Sequence, residues 1–325
     1  MMSRVLLVAT GDTIAYLQHS GRPAIATGTE LLSAAGAHMP AVDVHAEDVM
    51  AEPSWDTSPA TMLTLARRAH TALASDGFDG VVVTHGIDTL EETAFLTDLT
   101  TGPVAAHGGI VFTGASRCLD EPGSDGPHNL AAAITTAADP AIRGLGTLVC
   151  FNRELHAARW ATLTNTTSAS GFSSAPHPPL GQVTRTDGIT ITAAPPARPA
   201  PIEAPPETDV ALIKTYPGIT PSLLTTAVDA GARGIVLEGT GTGNVPVELF
   251  TTISELTEWD IPIVLASRAR THPTAHAHPH DGTGLATKVG AISARGLTPT
   301  HARIALMVAL GAGGVEAVRA WFEEL

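Results

Sequence analysis

Short apolar runs alternate along the chain with stretches of helical spacing. The first run, Val5-Leu6-Leu7-Val8-Ala9, is unbroken and leads into Thr10-Gly11-Asp12-Thr13-Ile14-Ala15. Unbroken runs of this length and composition predict strands buried on both faces of a parallel sheet. Gly80–Thr84, Gly109–Ala115 and Gly146–Phe151 have the same character, and Val42–Val49 reads as a further strand. Helical patterns lie between them. Thr29–Ala35 predicts a short helix. A longer one begins at Ser58-Pro59, where the serine suits the cap and the proline suits the first helical position. Its apolar face is Met62, Leu65, Ala66, Ala69 and Leu73. After His85-Gly86-Ile87-Asp88-Thr89 another helix carries Glu91 and Glu92 in its first turn, which complements the positive helix end. Asp125-Gly126-Pro127 opens a helix through Ala138. Tyr16–Gly28 and Ala157–Gly188 lack a clean period and predict loops, the first a mobile loop over a strand end.

Residues 194–208 form a proline-rich connector, expected to be extended and stiff. It divides the chain into an N-terminal domain, 1–193, and a C-terminal domain, 209–325. The second half alternates again. Val210–Lys214, Gly234–Glu238 and Pro262–Ala266 read as strands, and Pro221–Ala230, Pro246–Trp259 and Pro299–Leu310 as helices. This alternation predicts an α/β protein whose C-terminal part is a smaller parallel sheet with flanking helices.

Composition narrows the function classes. The formal charge is −14, without clusters of basic residues, so a phosphate backbone would be repelled and nucleic acid is set aside. Lysine occurs twice, at Lys214 and Lys288, and cysteine twice, at Cys118 and Cys150. Two cysteines make no disulfide framework. The apolar start is shorter than a signal peptide requires, and no stretch is long enough to span a bilayer. The expectation is a cytoplasmic protein without a membrane partner.

The first turn carries the candidate chemistry. It delivers the hydroxyls of Thr10 and Thr13 past the C-terminal end of a buried strand, where ligands bind in open α/β sheets. A hydroxyl held this way suits a nucleophile. The same residues also suit a βα turn with purely local hydrogen bonds.

Several segments together resemble the bacterial-type L-asparaginases and glutaminase-asparaginases. They are Ala9-Thr10-Gly11-Asp12-Thr13-Ile14-Ala15, Thr84-His85-Gly86-Ile87-Asp88-Thr89-Leu90-Glu91-Glu92-Thr93-Ala94, Phe112-Thr113-Gly114-Ala115, Asp125-Gly126-Pro127-His128-Asn129-Leu130, Tyr216-Pro217-Gly218-Ile219 and Gly241-Thr242-Gly243-Asn244-Val245-Pro246. The resemblance covers nearly the whole chain in order. It implies a larger N-terminal mixed-sheet domain and a smaller C-terminal parallel-sheet domain. It further implies a homodimer or homotetramer with active sites shared between subunits. The implied reaction is hydrolysis of a side-chain amide of an amino-acid-like small molecule, with no metal or organic cofactor.

Carried over by motif, the resemblance makes Thr13 the nucleophile, Ser54 the residue holding the substrate carboxylate and Asp88 the residue gripping its amino group. Asn244 falls in a matching segment of the second half. The chain departs from the family at the proton relay. Ile87 stands where the second catalytic threonine is expected, and Leu163 where the catalytic lysine is expected. No tyrosine lies near Ile25, and Tyr16 is the nearest in sequence. Asp12 replaces the second glycine of the turn and sets a carboxylate beside Thr13. Trp55 follows Ser54 in place of a glutamine and reshapes the pocket. The neighbouring subunit's glutamate has no match; His276, His278, His280 and Asp281 occupy that region. Asp12 or a histidine of that loop would replace the missing base, and the alternating histidines also suit a metal.

The expected function is therefore an asparaginase-like amidohydrolase, with Thr13, Asp88 and Asp12 catalytic, acting on something other than plain asparagine. Two alternatives stay open: a lyase, cyclase or acyl-transfer enzyme on the same fold, and a non-catalytic amino-acid-binding protein.

Overall fold

The computed structural model describes residues 2–18, 21, 23–184, 188–202, 204–269 and 282–325. The histidine loop from His276 to Asp281 lies outside the described residues. The chain forms two units, Met1–Pro196 and Ala197–Leu325.

The N-terminal unit is built on one mixed sheet. Its strands are β1 (Arg4–Ala9), β2 (Asp43–Asp48), β3 (Gly80–Thr84), β4 (Gly109–Thr113), β5 (Thr147–Phe151), β6 (Glu154–Ala157), β7 (Gly181–Val183) and β8 (Ile189–Ile191). Their order across the sheet is β8-β7-β6-β5-β4-β3-β1-β2. The five strands from β2 to β5 in that order run parallel, and the remaining three extend the sheet antiparallel.

Alternation along each buried strand feeds two cores. Val5 and Leu7 of β1, Val82 of β3 and Val111 of β4 face one side. There they pack with Leu31 of α1 (Gly28–Ala35) and with Leu130 and Ile134 of α4 (Gly126–Ala138). Leu6, Val8, Val81, Val83 and Phe112 face the other side. They meet Leu65 and Ala69 of α2 (Pro59–Ala74) and Leu90 and Ala94 of α3 (Leu90–Thr101). This period of two is why the runs carry no polar positions.

The connection order decides where a site forms. From β1 the chain passes through α1 to β2 on one side, then through α2 to β3 on the other. The strand order therefore reverses at β1, and in open α/β sheets ligands bind outside the C-terminal strand ends at such a switch point, here between β1 and β3. The turns after those two strands carry Thr13 and Asp88.

Tyr16–Gly28, expected as an irregular loop, contains a short antiparallel pair, Tyr16–Leu17 with Ala24–Ile25. Thr162–Leu163 and Phe172–Ser173 form another within the stretch expected to be loop.

The C-terminal unit holds a four-stranded parallel sheet: β9 (Val210–Lys214), β10 (Gly234–Gly239), β11 (Ile263–Ser267) and β12 (Ile292–Ser293), in that order. Ile235, Leu237, Ile263 and Leu265 pack with Leu224, Ile253 and Leu256 of flanking helices. The proline-rich stretch is strapped to this unit. Glu207 donates its amide to the Met307 carbonyl at 2.8 Å, and the Trp321 indole donates to the Ala200 carbonyl at 3.2 Å. Among the described residues no helix is long and apolar enough to cross a membrane.

Candidate active site

Two threonines lock the ends of β1 and β3 together. The Thr10 hydroxyl donates to the Thr84 carbonyl at 2.6 Å, and the Thr84 hydroxyl accepts the Thr10 amide at 3.1 Å. Both residues are buried. The clamp fixes where the next three residues go.

Asp12 follows with φ 73° and ψ −169°. That region is essentially reserved for glycine, and a side chain there costs about 1–3 kcal/mol. The carboxylate compensates with a set of short contacts. Its Oδ1 accepts the Thr13 amide at 2.6 Å and the Thr13 hydroxyl at 3.0 Å. Its Oδ2 accepts the amide of Ser54, 42 residues away, at 2.6 Å. Burial alone would raise the Asp12 pKa, but these bonds from Ser54 and Thr13 outweigh it and hold the carboxyl below its ordinary value.

Ser54 sits in a short turn, Ser54–Asp56, tied at both ends. Its amide is held by Asp12, and its carbonyl accepts the Thr89 hydroxyl at 2.7 Å. The residue is 1% exposed, and its hydroxyl lies beside the Asp12 carboxylate without an aligned partner among the described residues. Trp55, next in the turn, is 71% exposed.

Gly86 closes the arrangement from the β3 side. A Cβ there would overlap both the Asp12 carboxylate and the Ser54 hydroxyl, so only glycine lets the backbone approach this closely. His85, just before it, is buried and structural in its contacts. Its Nδ1 meets the Gly86 carbonyl at 2.8 Å and its Nε2 meets the Thr93 hydroxyl at 3.0 Å. Burial keeps the ring neutral by lowering its pKa, against the opposing pull of the Gly86 carbonyl and the Asp12 charge.

Asp88 is exposed, and its carboxyl is raised above its ordinary pKa, first by partial desolvation and then by the negative charge of Asp12. Asp12 and Asp88 therefore share one electrostatic neighbourhood. Ile87 is buried in the apolar cluster on the α3 side of the sheet, and Leu163 packs against the same cluster. The Leu163 amide donates to the buried Glu91 carboxylate at 2.5 Å. Hydrocarbon thus fills the positions where a hydroxyl and an ammonium were expected.

The sheet brings Thr13, Asp12, Ser54 and Gly86 together, with Ile87 and Asp88 immediately after. A threonine hydroxyl thus donates to a carboxylate held below its ordinary pKa, at the switch point of the sheet. Profiles for the asparaginase N-terminal domain and the glutaminase/asparaginase C-terminal domain match residues 4–196 and 209–322. The chain belongs to the asparaginase family. It is 32% identical to L-asparaginase 2 of Escherichia coli over 321 residues, covering 95% of this chain and 89% of that protein. A probable L-asparaginase of Deinococcus radiodurans is 34% identical over 319 residues, covering 96% and 94%. An L-asparaginase of Bacillus licheniformis is 30% identical over 315 residues, covering 95% and 96%.

Within this asparaginase fold, the role of Gly86 and the Thr10–Thr84 clamp were not apparent from the sequence. Gly86 stood in a motif but gave no sign of what it approaches. The fourth substrate candidate, Asn244, lies in the C-terminal unit in a tight turn, where its amide donates to the Thr240 carbonyl at 2.7 Å.

Proposed function

We propose that this asparaginase-family protein is an amidohydrolase that uses Thr13 as nucleophile on the side-chain amide of a small molecule other than plain asparagine. The observation that carries the reading is the 3.0 Å hydrogen bond from the Thr13 hydroxyl to Asp12 Oδ1. It supplies the proton acceptor that Ile87 and Leu163 cannot. Thr13 Oγ attacks the amide carbon while its proton passes to Asp12. Collapse of the tetrahedral species returns that proton to the leaving nitrogen, and ammonia departs. Water then cleaves the resulting ester with Asp12 again accepting a proton. Asp88 binds a substrate amine, Ser54, Trp55 and Ile87 are the further substrate-binding residues, and Asn244 is a substrate-binding candidate on its motif match alone. The depressed Asp12 pKa makes it a weak base, which predicts slow turnover.

We further propose a cytoplasmic homodimer or homotetramer with shared active sites. Ammonia release from a panel of primary amides tests the chemistry. Thr13→Ala should reduce it by at least about 10³-fold. Turnover that survives the substitution, or that yields no free acid, overturns hydrolysis by Thr13.

A further inference from the structure

The Asp12 carboxylate is a tethered anion seated on two backbone amides. Those amides, from Thr13 and Ser54, converge on one side chain at 2.6 Å each. With glycine at position 12 the same backbone would leave both donors without the Asp12 carboxylate, open to an anionic group of a bound molecule. Here they are spent internally, on a residue kept in a glycine conformation. Among the described residues no lysine, arginine or histidine forms an ion pair with Asp12 or Asp88. An entering carboxylate would meet two negative charges and no free donor from this pair. An ammonium would meet two carboxylates, since the Asp12 charge is close enough to act on Asp88.

We infer that Asp12 determines specificity by taking up these two amide donors with its own carboxylate, so that the site excludes amino acids bearing an α-carboxylate and takes amides that carry an amine without one. This rests on the proposed amide chemistry at Thr13 and names its substrate class. The exclusion follows from unpaired like charge and lost hydrogen bonds, the repulsive element by which a site rejects a near relative of its ligand.

The decisive pair of probes is L-asparagine and 3-aminopropanamide, which is asparagine with its α-carboxylate replaced by hydrogen. Binding is measured calorimetrically on the full chain carrying Thr13→Ala, so that no turnover intervenes. The expected result is at least tenfold tighter binding of 3-aminopropanamide. Adding Asp12→Gly should reverse the preference toward asparagine by tenfold or more, and glycine suits the backbone angle at that position. Asp12→Asn keeps the side chain and removes its charge; it should shift the ratio at least threefold in the same direction, and it serves if the glycine variant fails to fold. Equal or tighter binding of asparagine by the Asp12 chain overturns the inference. So does a ratio indifferent to both substitutions, or failure of the Asp12 chain to bind either probe. Failure of the amidohydrolase reading appears separately, as absence of ammonia from any amide with Thr13 intact.

Discussion

Asp12 holds a conformation that its side chain opposes and its carboxylate sustains. The two contributions separate by substitution. Asp12→Ala and Asp12→Gly lose the same bonds to Thr13 and Ser54, but only alanine keeps a Cβ at φ 73°. Alanine should therefore be less stable than glycine by about 1–3 kcal/mol in urea denaturation. Equal stabilities would remove the argument that strain is maintained here. The sequence made Thr13 and Asp12 legible as neighbours in a turn. It did not reveal that Asp12 reaches the Ser54 amide, because that contact depends on which strands become adjacent. The losses at Ile87 and Leu163 were visible as residue types, and their common apolar cluster needed the fold.

At the scale of elements, the site depends on β1 and β3 ending in register. Val5 pairs with Gly80 and Val8 with Val83, and the Thr10–Thr84 bonds continue the pairing beyond the ladder. Thr84→Val should cost about 1–3 kcal/mol, because it leaves the buried Thr10 amide without its acceptor. It should also lower amide turnover without touching any group near Thr13, and the two effects are read by denaturation and by ammonia release. The parallel strands were readable because burial on both faces removes polar residues. The antiparallel extension was not. β5 turns into β6 through Asn152 and Arg153, both with positive φ at 46° and 68°. Such two-residue turns are signalled by Asn-Gly, and arginine in the second place hides the signal. The last helix, Val315–Glu323, buries Val315, Val318, Trp321 and Phe322 and lies beyond the last helix expected from the sequence, Pro299–Leu310, after a Gly-Gly pair that reads as loop.

For the whole molecule, buried histidines set the response to acid. Burial lowers the pKa of His85 and pushes that of His156 down to about 4 from an ordinary 6.5. Both are neutral in the fold and would be protonated in the unfolded chain below that ordinary value. Their stabilisation is complete above about pH 6.5 and is lost as pH falls toward 4. For His156 alone the loss approaches about 3 kcal/mol. The urea midpoint should fall across this window, and more shallowly in His156→Gln. Asp12, shifted below its ordinary 3.8, adds its loss only at lower pH. A midpoint constant between pH 6.5 and 4 would contradict these assignments.

The two thiols differ in a way that experimenters can use. Full burial pushes the pKa of Cys150 up to about 12; Cys118 is also raised, first by partial desolvation and then by the charges of Glu121 and Asp120, but it is only half-buried and reaches Gln18 Oε1 at 3.7 Å. Next to it, the Leu119 amide bonds the Tyr16 carbonyl at 2.9 Å, in the segment that follows Thr13. A maleimide dye in mildly alkaline buffer should therefore label the native chain once, at position 118, as mass spectrometry of tryptic fragments would register. The unaltered protein thus carries its own attachment point for a fluorophore next to Leu119, whose hydrogen-bonded partner Tyr16 lies three residues after Thr13, and through it ligand entry becomes an optical signal.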